Sequence, residues 1–318
     1  MQLSSSAERS EFDEAVARHR RELLAHCYRM LGSPHDAEDA LQEALVGAWK
    51  GWDGFEGRSS VRTWLFRIAT NACLKHAQRR PARVLSTDLG PAFTQTADLG
   101  RPDTEHLFLE PWADEPDDAG DPEAAYARRE GIELAYVAAL QHLPATQRAV
   151  LLLREVLQFS AAEVAELLET SVAGVNSALQ RARASMETRS HGSQQAELAA
   201  LGEDGVRRLV EEFVRAWEAA DVERLAAMLA DDARFTMPPL PAWFDGRDMV
   251  ARFLSERLFQ TPWRLEPRTI NGQPGFLCHQ LVEGTWRPGA VNVVSLRGGR
   301  VAHIAGFVDP EVVASFVG

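Results

Sequence analysis

The chain has 318 residues, and its 46 Asp and Glu against 34 Lys and Arg give a formal net charge of −12. This length predicts two or three domains with cores of their own, and the acidic balance argues against a protein that binds nucleic acid over its whole surface. No signal-sequence core and no run of membrane-spanning length is present, so we expect a cytoplasmic protein that contacts no membrane. Cys27, Cys73 and Cys278 lack metal-site or disulfide spacing, and we expect three buried thiols, no metal and no cofactor.

The first chemical pattern is an acidic helix that begins near residue 33. Ser33 suits the N-cap, Pro34 suits the first helical position, and small or apolar residues at helical spacing predict a buried stripe through residue 48. Asp36, Asp39 and Glu43 then share the opposite, exposed face. A helix of any function with a solvated acidic face would show the same pattern.

A second helix follows the segment Gly57–Ser60 and extends from Val61 to Lys75. Apolar residues at helical spacing predict its core face, and Trp64 lies at the border of its polar face. An aromatic ring together with Arg and Asn suits unstacked bases, although Trp64 is also explained as a core residue. The polar face consists of Thr63, Arg67, Thr70 and Asn71.

Most of the negative charge lies in residues 81–125, which hold 2 Lys and Arg against 11 Asp and Glu. This segment is rich in Pro and Gly as well as in Asp and Glu. Such a composition predicts an irregular, solvated and flexible tether. Residues 126–191, by contrast, hold 7 basic and 7 acidic residues.

Residues 159–186 have the pattern of a helix-turn-helix. Ser160 and Glu163 form a capping box for the first helix, and Ser171 can cap a second helix whose apolar positions face inward. The outward side chains are of the kinds that reach base edges and phosphates, although an ordinary helical hairpin is the alternative. These outward residues are Asn176, Ser177, Gln180, Arg181 and Arg183.

The last third of the chain changes from helices to strands. Helical spacing from Val206 to Trp217 and from Val222 to Leu229 gives way to predicted strands at 263–270, 276–283, 290–296 and 301–308. The intervening turns are expected at residues 271–272, 288–289 and 298–299. This order predicts an α+β domain.

The chain resembles an extracytoplasmic-function (ECF) sigma factor of the sigma-70 family through three motifs in order. The segment Asp36–Asp39 matches the family's polymerase-clamp motif, Arg62–Leu65 with Asn71 matches its minus-ten helix, and Val175–Arg183 matches its minus-thirty-five helix. The resemblance implies two all-α sigma domains, at residues 8–80 and 126–190, joined by an acidic linker at 81–125. It also implies a protein that directs core RNA polymerase to promoters.

The same resemblance assigns partners to individual residues. Most family members are basic at the position of Asn176 and often at that of Ala178, so this recognition helix is less basic than usual and other arginines must supply phosphate contacts. The linker is implied to thread toward the polymerase active centre, with Asp114, Glu115, Asp117 and Asp118 in a basic channel. The implied sets are Asp36, Glu38, Asp39 and Glu43 for core polymerase; Arg58, Arg62, Thr63, Trp64, Arg67 and Asn71 for the minus-ten strand; and Arg148, Arg154, Ser171, Asn176, Ser177, Gln180, Arg181 and Arg183 for the minus-thirty-five element.

Residues 204–318 resemble the SnoaL-like branch of the nuclear-transport-factor-two-like fold, a cone-shaped sheet, mainly through the segment Met237–Gly246. Sigma factors with such an extension form a subgroup in which the fused domain adjusts activity, often without a separate anti-sigma factor. We therefore expect regulation within this chain and no enzyme, while a small isomerase- or cyclase-type enzyme or ligand sensor that uses a strand histidine is the alternative. The candidate cone pocket for an unidentified small molecule, which core packing explains equally well, comprises Phe235, Trp243, Phe253, His279, Trp286 and Phe307.

Overall fold

Two structural units, each built from separated stretches of sequence, make up this chain. The computed structural model describes residues 2–114, 132–188 and 192–317, with side chains from Ser10 onward. The helical unit comprises Met1–Ala82 and Ala135–Ser190, and the C-terminal unit comprises Arg83–Leu134 and His191–Gly318. The segment that connects the two helical halves therefore belongs to the C-terminal unit.

Polar N-caps determine where the helices of the helical unit begin. Ser33 Oγ accepts from the Asp36 N–H at 3.2 Å, and Ser60 Oγ accepts from the Thr63 N–H at 3.0 Å. Ser160 and Glu163 form the predicted capping box, and Ser171 Oγ accepts from the Gly174 N–H at 3.0 Å. The helices are α1 (Gln2–Leu31), α2 (Pro34–Gly51), α3 (Val61–Arg79), α4 (Leu134–Gln141), α5 (Ala145–Leu151, continued as a π-helical turn at Leu152–Val156), α6 (Ala161–Leu167) and α7 (Val172–Glu187).

The two halves of the helical unit share one apolar core. Helices α1, α2 and α3 pack against one another, and Phe66 of α3 meets Phe159 of the helix-turn-helix half with ring centroids 5.8 Å apart. Cys27 and Cys73 are unbonded and completely buried, which confirms the prediction for these thiols.

The C-terminal unit is an α+β domain, as predicted, with a six-stranded sheet in the order β2-β1-β6-β5-β4-β3. Strands β1 and β6 run parallel, and the other neighbouring pairs are antiparallel. The helices are α8 (Gln194–Glu218, interrupted at Gly202), α9 (Val222–Met228), α10 (Arg247–Glu256) and α11 (Pro310–Ala314), and the strands are β1 (Leu229–Thr236), β2 (Trp243–Asp245), β3 (Trp263–Ile270), β4 (Gln273–Val282), β5 (Thr285–Arg297) and β6 (Arg300–Phe307).

One predicted turn is wrong. Pro288 and Gly289 lie inside β5, and the reversal between β4 and β5 occurs at Glu283 and Gly284 instead. The register of the β4–β5 pair shifts opposite Pro288, between Cys278 and His279. A proline inside a strand is tolerated at such an irregularity because the ladder there does not need its missing N–H.

Aromatic side chains fill the inner face of the sheet, which we define as the face covered by α8, α9 and α10. The rings of Phe213 and Phe276 stack with their centroids 5.0 Å apart. The ring centroid of Phe253 lies 4.6 Å from that of Phe244 and 5.1 Å from that of Phe235. Cys278, also unbonded, is buried in the same cluster. The inner face is therefore a packed hydrophobic core of the kind that stabilises a folded domain.

The linker is bound to the C-terminal unit, so the prediction of a solvated, flexible tether is wrong for residues 83–114. Trp243 Nε1 donates to the Gly90 carbonyl at 3.0 Å, and the Phe93 N–H donates to the Trp243 carbonyl at 2.8 Å. Phe93 and Leu99 pack against the inner-face cluster. The prediction was based on the composition of the segment alone. It is wrong because a few apolar residues in the segment pack against the C-terminal unit, and the charge count contains no information about such contacts.

Asn271, in the turn between β3 and β4, holds the linker at two separate points. Its Oδ1 accepts from the Trp112 N–H at 2.9 Å and its Nδ2 donates to the Ile132 carbonyl at 2.6 Å. The Gly272 N–H donates to the Asp114 carboxylate at 2.6 Å. Glu115, Asp117 and Asp118, which were expected to occupy the polymerase channel, lie outside the described residues.

Gly275 tests the packing of the sheet. A Cβ at this position would lie 2.7 Å from side-chain atoms of Ile270, which is completely buried. We expect Gly275→Ala to lower the free energy of unfolding by about 1–3 kcal/mol because the core has no room for the added methyl group. Gly54→Ala, where no atom lies within 4 Å of the new Cβ, is the control. Equal urea midpoints for the two variants would contradict the packing described.

Candidate nucleic-acid interface

Asp36 does not lie on the exposed acidic face, and its assignment to that face is wrong. Its side chain is 6% exposed and forms an ion pair with Arg80, the residue that follows α3. The helical pattern of α2 alone did not reveal this, because Arg80 reaches Asp36 from a different element. The carboxylate is held within the helical unit and is not presented to a partner.

The other acidic residues of α2 lie on the surface. Glu38 pairs with Arg20 at 3.3 Å, and Asp39 lies 3.8 Å from His35. Glu43 accepts a hydrogen bond from Lys75, which lowers the pKa of its carboxyl group. Three outward carboxylates on one helix make this face of α2 suitable for a basic partner.

Two apolar residues extend this acidic surface and were missed in the sequence. Val46 is 56% exposed and lies about 60° around α2 from Glu43, and Trp49 is 45% exposed and lies about 20° from Glu38. The sequence does indicate their exposure, because both positions fall outside the stripe of small residues that α2 buries. We call Glu38, Asp39, Glu43, Val46 and Trp49 the α2 face.

Arg62, expected to contact the minus-ten strand, is engaged inside the helical unit. Its Nε donates to the Glu22 carboxylate at 3.1 Å. Its guanidinium lies 5.1 Å from the ring centroid of Phe66 and 4.9 Å from that of Phe159. The side chain is 31% exposed, so the helix-turn-helix half partly covers it.

A second arginine of α3 is engaged in the same way. Arg67 donates to the Glu169 carboxylate at 3.0 Å, and Glu169 lies between the two helices of the helix-turn-helix. Both side chains are substantially exposed, so this pair adds little stability and exchanges readily for another anion. Two cations of α3 thus have carboxylate partners within the helical unit.

The remaining minus-ten candidates differ in accessibility. Asn71 and Arg58 are exposed, and Arg58 pairs with Glu56 at 2.6 Å. The hydroxyl of Thr63 hydrogen-bonds that of Ser60 at 2.8 Å. Trp64 is half-buried in an aromatic cluster, with its ring 5.1 Å from Phe55 and 5.8 Å from Trp52.

Thr70 was assigned to the polar face of α3, and this assignment is wrong. The residue is completely buried, and its hydroxyl hydrogen-bonds the imidazole of His26 at 2.9 Å. Burial lowers the pKa of His26 to about 3, so the ring is neutral at physiological pH. The Thr70 hydroxyl pairs with Nε2 of the neutral ring, while Nδ1 is buried without a hydrogen-bond partner among the described residues.

Arg148, expected to contact DNA phosphates, is 4% exposed, and that assignment is wrong. Its guanidinium donates to the Met30 carbonyl, to Gln141 Oε1 at 2.6 Å and to the Leu143 carbonyl at 3.1 Å. Gln141 Nε2 in turn donates to the Arg29 carbonyl at 3.3 Å. Helix ends leave their last carbonyls unpaired, and Arg148 and Gln141 supply donors to the end of α1. Burial lowers the pKa of Arg148 to about 10.

Arg154 is also engaged within the helical unit. It is half-buried, and its guanidinium donates to the Phe159 carbonyl. This hydrogen bond spans the turn between the π-helical end of α5 and the start of α6. In this structure the side chain therefore has a local structural contact and is not directed at a phosphate.

Helix α7 presents most of the predicted minus-thirty-five residues to the surface. Asn176, Ser177, Gln180 and Arg181 are exposed, whereas Ser171 uses its hydroxyl as the N-cap. Arg183 is exposed and pairs with Glu155. The inward residues are buried as predicted: Val175, Leu179, Ala182 and Met186.

Four of the six candidate pocket residues do not belong to the inner-face cluster, so the prediction that they line the cone is wrong for Trp243, His279, Trp286 and Phe307. His279 lies 3.6 Å from Glu266, and Trp286 stacks with the guanidinium of Arg264 at 4.4 Å. Successive residues of a strand point to opposite faces, so Leu277 and His279 point away from the face that Phe276 and Cys278 occupy. Phe307 pairs with Val291, which pairs with Leu277, and therefore lies on the same outer face. Phe235 and Phe253 are in the cluster.

The described residues also bear on metal binding and membrane insertion. No group of three or more His, Cys, Asp or Glu there is arranged to hold a metal ion. Among the described helices, none combines the length and apolar character needed to cross a bilayer. A second strand histidine, His303, hydrogen-bonds the Thr236 hydroxyl at 2.9 Å.

Comparisons with known proteins assign each part of the chain. Family models match residues 15–82 (Sigma-70 region 2), 133–186 (Sigma-70, region 4) and 210–313 (SnoaL-like domain). The ECF RNA polymerase sigma factor SigG of Mycobacterium tuberculosis is 41% identical over 312 residues, covering 97% of this chain and 84% of the relative. SigJ of the same species is 28% identical over 252 residues, covering 77% of this chain and 71% of the relative. The crystal structure of SigJ shares the fold, with a TM-score of 0.64 at 24% identity over 96% of this chain and 98% of that one.

A region 2 fold followed by a region 4 helix-turn-helix defines a sigma factor of the sigma-70 class, a protein that binds core RNA polymerase and promoter DNA. The chain belongs to the ECF RNA polymerase sigma factors, and it carries a fused SnoaL-like domain.

The burial of Arg148 leads to a prediction that separates structure from DNA contact. Arg148→Ala leaves several buried carbonyl oxygens unpaired, and we expect it to lower the free energy of unfolding by about 2 kcal/mol or more. Arg181→Ala, at an exposed position of α7, is the matched control and should leave stability unchanged while weakening DNA binding. Urea unfolding of the chain measures stability, and fluorescence anisotropy of a promoter duplex with core polymerase reconstituted with each variant measures DNA binding. Weaker DNA binding by a fully stable Arg148→Ala protein would show that Arg148 contacts DNA.

Proposed function

We propose that the α2 face binds core polymerase, that α3 engages the melted minus-ten strand, that α7 reads the minus-thirty-five element, and that the C-terminal unit regulates initiation by holding the linker. The observation that carries the regulatory part is the binding of residues 83–114 to the C-terminal unit. A linker held there is unavailable to the polymerase.

The α2 face supports the polymerase contact because it combines charge with exposed apolar area. Glu38, Asp39 and Glu43 offer three carboxylates, while Val46 and Trp49 offer exposed apolar surface beside them. Interfaces of this kind obtain orientation from the charges and affinity from the apolar contact. Asp36 contributes indirectly, through its ion pair with Arg80.

The contacts of α3 support a masked resting state of the minus-ten surface. Arg62 and Arg67 are paired with Glu22 and Glu169, and the same two cations are the side chains proposed to meet phosphates. Each guanidinium can satisfy one set of anions at a time. Promoter binding therefore requires that the helix-turn-helix half release α3, which explains how a free sigma factor of this kind avoids binding DNA without polymerase.

Regulation by the C-terminal unit acts through the linker, which Trp243 holds at Gly90 and Phe93 and which Asn271 holds at Trp112. One side chain joins the linker on both sides of residues 115–131, at Trp112 and at Ile132. Because the regulatory domain and the linker are parts of one chain, this control needs no separate anti-sigma factor. A catalytic role has less support, since aromatic pairs fill the inner face and His279 lies outside that cluster.

The polymerase contact is tested by charge reversal on the α2 face. We expect Asp39→Lys to weaken binding of the full chain to core polymerase by about tenfold, because a like charge replaces an attractive one at the interface. Biolayer interferometry with immobilised core enzyme measures the affinity. Glu203→Lys, an equal charge change at an exposed position of α8, is the control, and equal affinities for the two variants would contradict the assignment.

Release of the linker tests the regulatory part. Asn271 has a φ of 55°, a conformation that glycine adopts freely, so Asn271→Gly keeps the turn and removes both side-chain hydrogen bonds. We expect faster proteolysis near Trp112 and several-fold more transcript from core polymerase reconstituted with this variant. Asn271→Asp places a buried carboxylate oxygen against the Ile132 carbonyl, so it should release the linker at least as fully as Asn271→Gly. A released linker with unchanged transcription would contradict the proposal.

A further inference from the structure

The exposed surface of α7 has one long side chain at its centre. Each residue turns an α-helix by about 100°, so the direction opposite the buried residues Val175, Ala178 and Ala182 is the outermost line of the helix. Ala173, Ser177, Gln180 and Ala184 occupy that line, and all four are exposed. The methyl groups of the two alanines and the hydroxymethyl group of Ser177 are short. Gln180 is therefore the one residue of this line that extends well beyond the backbone.

The charged residues of α7 lie to either side of this line. Arg181 is rotated by about 100° from Gln180, toward one edge of the exposed surface. Arg183 lies toward the other edge and is paired with Glu155. A helix seated in the major groove places its central side chains against base edges and its lateral side chains near the phosphate backbones. The two arginines are thus placed for phosphates, and Gln180 is placed for bases.

The chemistry of the glutamine amide selects the base. Its amide group offers a donor beside an acceptor, and adenine alone among the bases presents the complementary acceptor N7 beside the donor N6 in the major groove. Guanine presents two acceptors, which match the paired donors of an arginine. The short side chains of Ala173, Ser177 and Ala184 let the helix approach closely enough for the amide to reach the base edge.

We propose that Gln180 is a specificity-determining residue of this sigma factor and that it reads an adenine in the minus-thirty-five element through a bidentate amide contact. This inference rests on the proposed role of α7. Asn176, one turn earlier and nearer the edge of the exposed surface, carries the same amide chemistry and extends the preference toward A·T pairs.

A promoter library randomised across the minus-thirty-five element tests the inference with core polymerase and the full chain. Sequencing of the transcribed templates should show one position at which adenine is enriched about tenfold or more with the unaltered chain. Gln180→Ala should flatten that position and leave the others unchanged. Gln180→Glu, whose carboxylate only accepts hydrogen bonds, should move the preference at that position to cytosine, which presents a donor at N4.

Gln158→Glu, an equivalent change at an exposed glutamine outside α7, is the matched control and should leave the whole profile unaltered. If the position that responds to Gln180 variants prefers G·C with the unaltered chain, or if no position responds while Arg181→Ala still lowers output, the inference is overturned and α7 remains the DNA-binding helix. A profile without any preference across the element would contradict the proposed role of α7 and the inference with it.

Discussion

The arrangement of the helical unit depends on one buried guanidinium. Arg148 donates to carbonyl oxygens at the end of α1 and in the turn after α4, so it joins the two halves that a linear view of the sequence separates. Backbone carbonyls and the Gln141 amide oxygen, rather than a carboxylate, accept from its two terminal nitrogens, while its buried Nε has no hydrogen-bond partner among the described residues. This junction places Phe159 and Glu169 against α3, from which the engagement of Arg62 and Arg67 follows.

The same physical interactions that hold the helical unit also compete with its function. Arg62 and Arg67 are exposed enough to exchange partners, since partly solvated ion pairs contribute little net stability. The linker that connects the two halves is bound elsewhere, by Asn271 and Trp243 of the C-terminal unit. Intramolecular contacts thus occupy both of these arginines and the connecting segment, and under the proposed function polymerase and promoter replace those contacts.

Much of the local structure was readable from the sequence, and the reasons are local. The caps at Ser33, Ser160 and Ser171, the inward stripe of α7 and the helix-to-strand order of the C-terminal unit depend on residues close together in the chain. The candidate site was only partly readable. Asp36 and Arg148 were assigned to the surface because polar residues usually lie there, and each is buried by a partner more than 40 residues away.

The sequence by itself determined the class of protein, because its three motifs and their helical periodicity are properties of short segments. Only the tertiary structure decided which of the polar residues remain free for a partner, which face of the sheet each aromatic residue occupies, and where the linker binds. Periodicity defines the faces of one element, but the element that covers a face comes from elsewhere in the chain. Successive residues of a strand point to opposite faces, and strand pairing with the covering helices decides which of the two is the inner face; for that reason His279 and Phe307 lie outside the inner-face cluster while Phe235 lies within it.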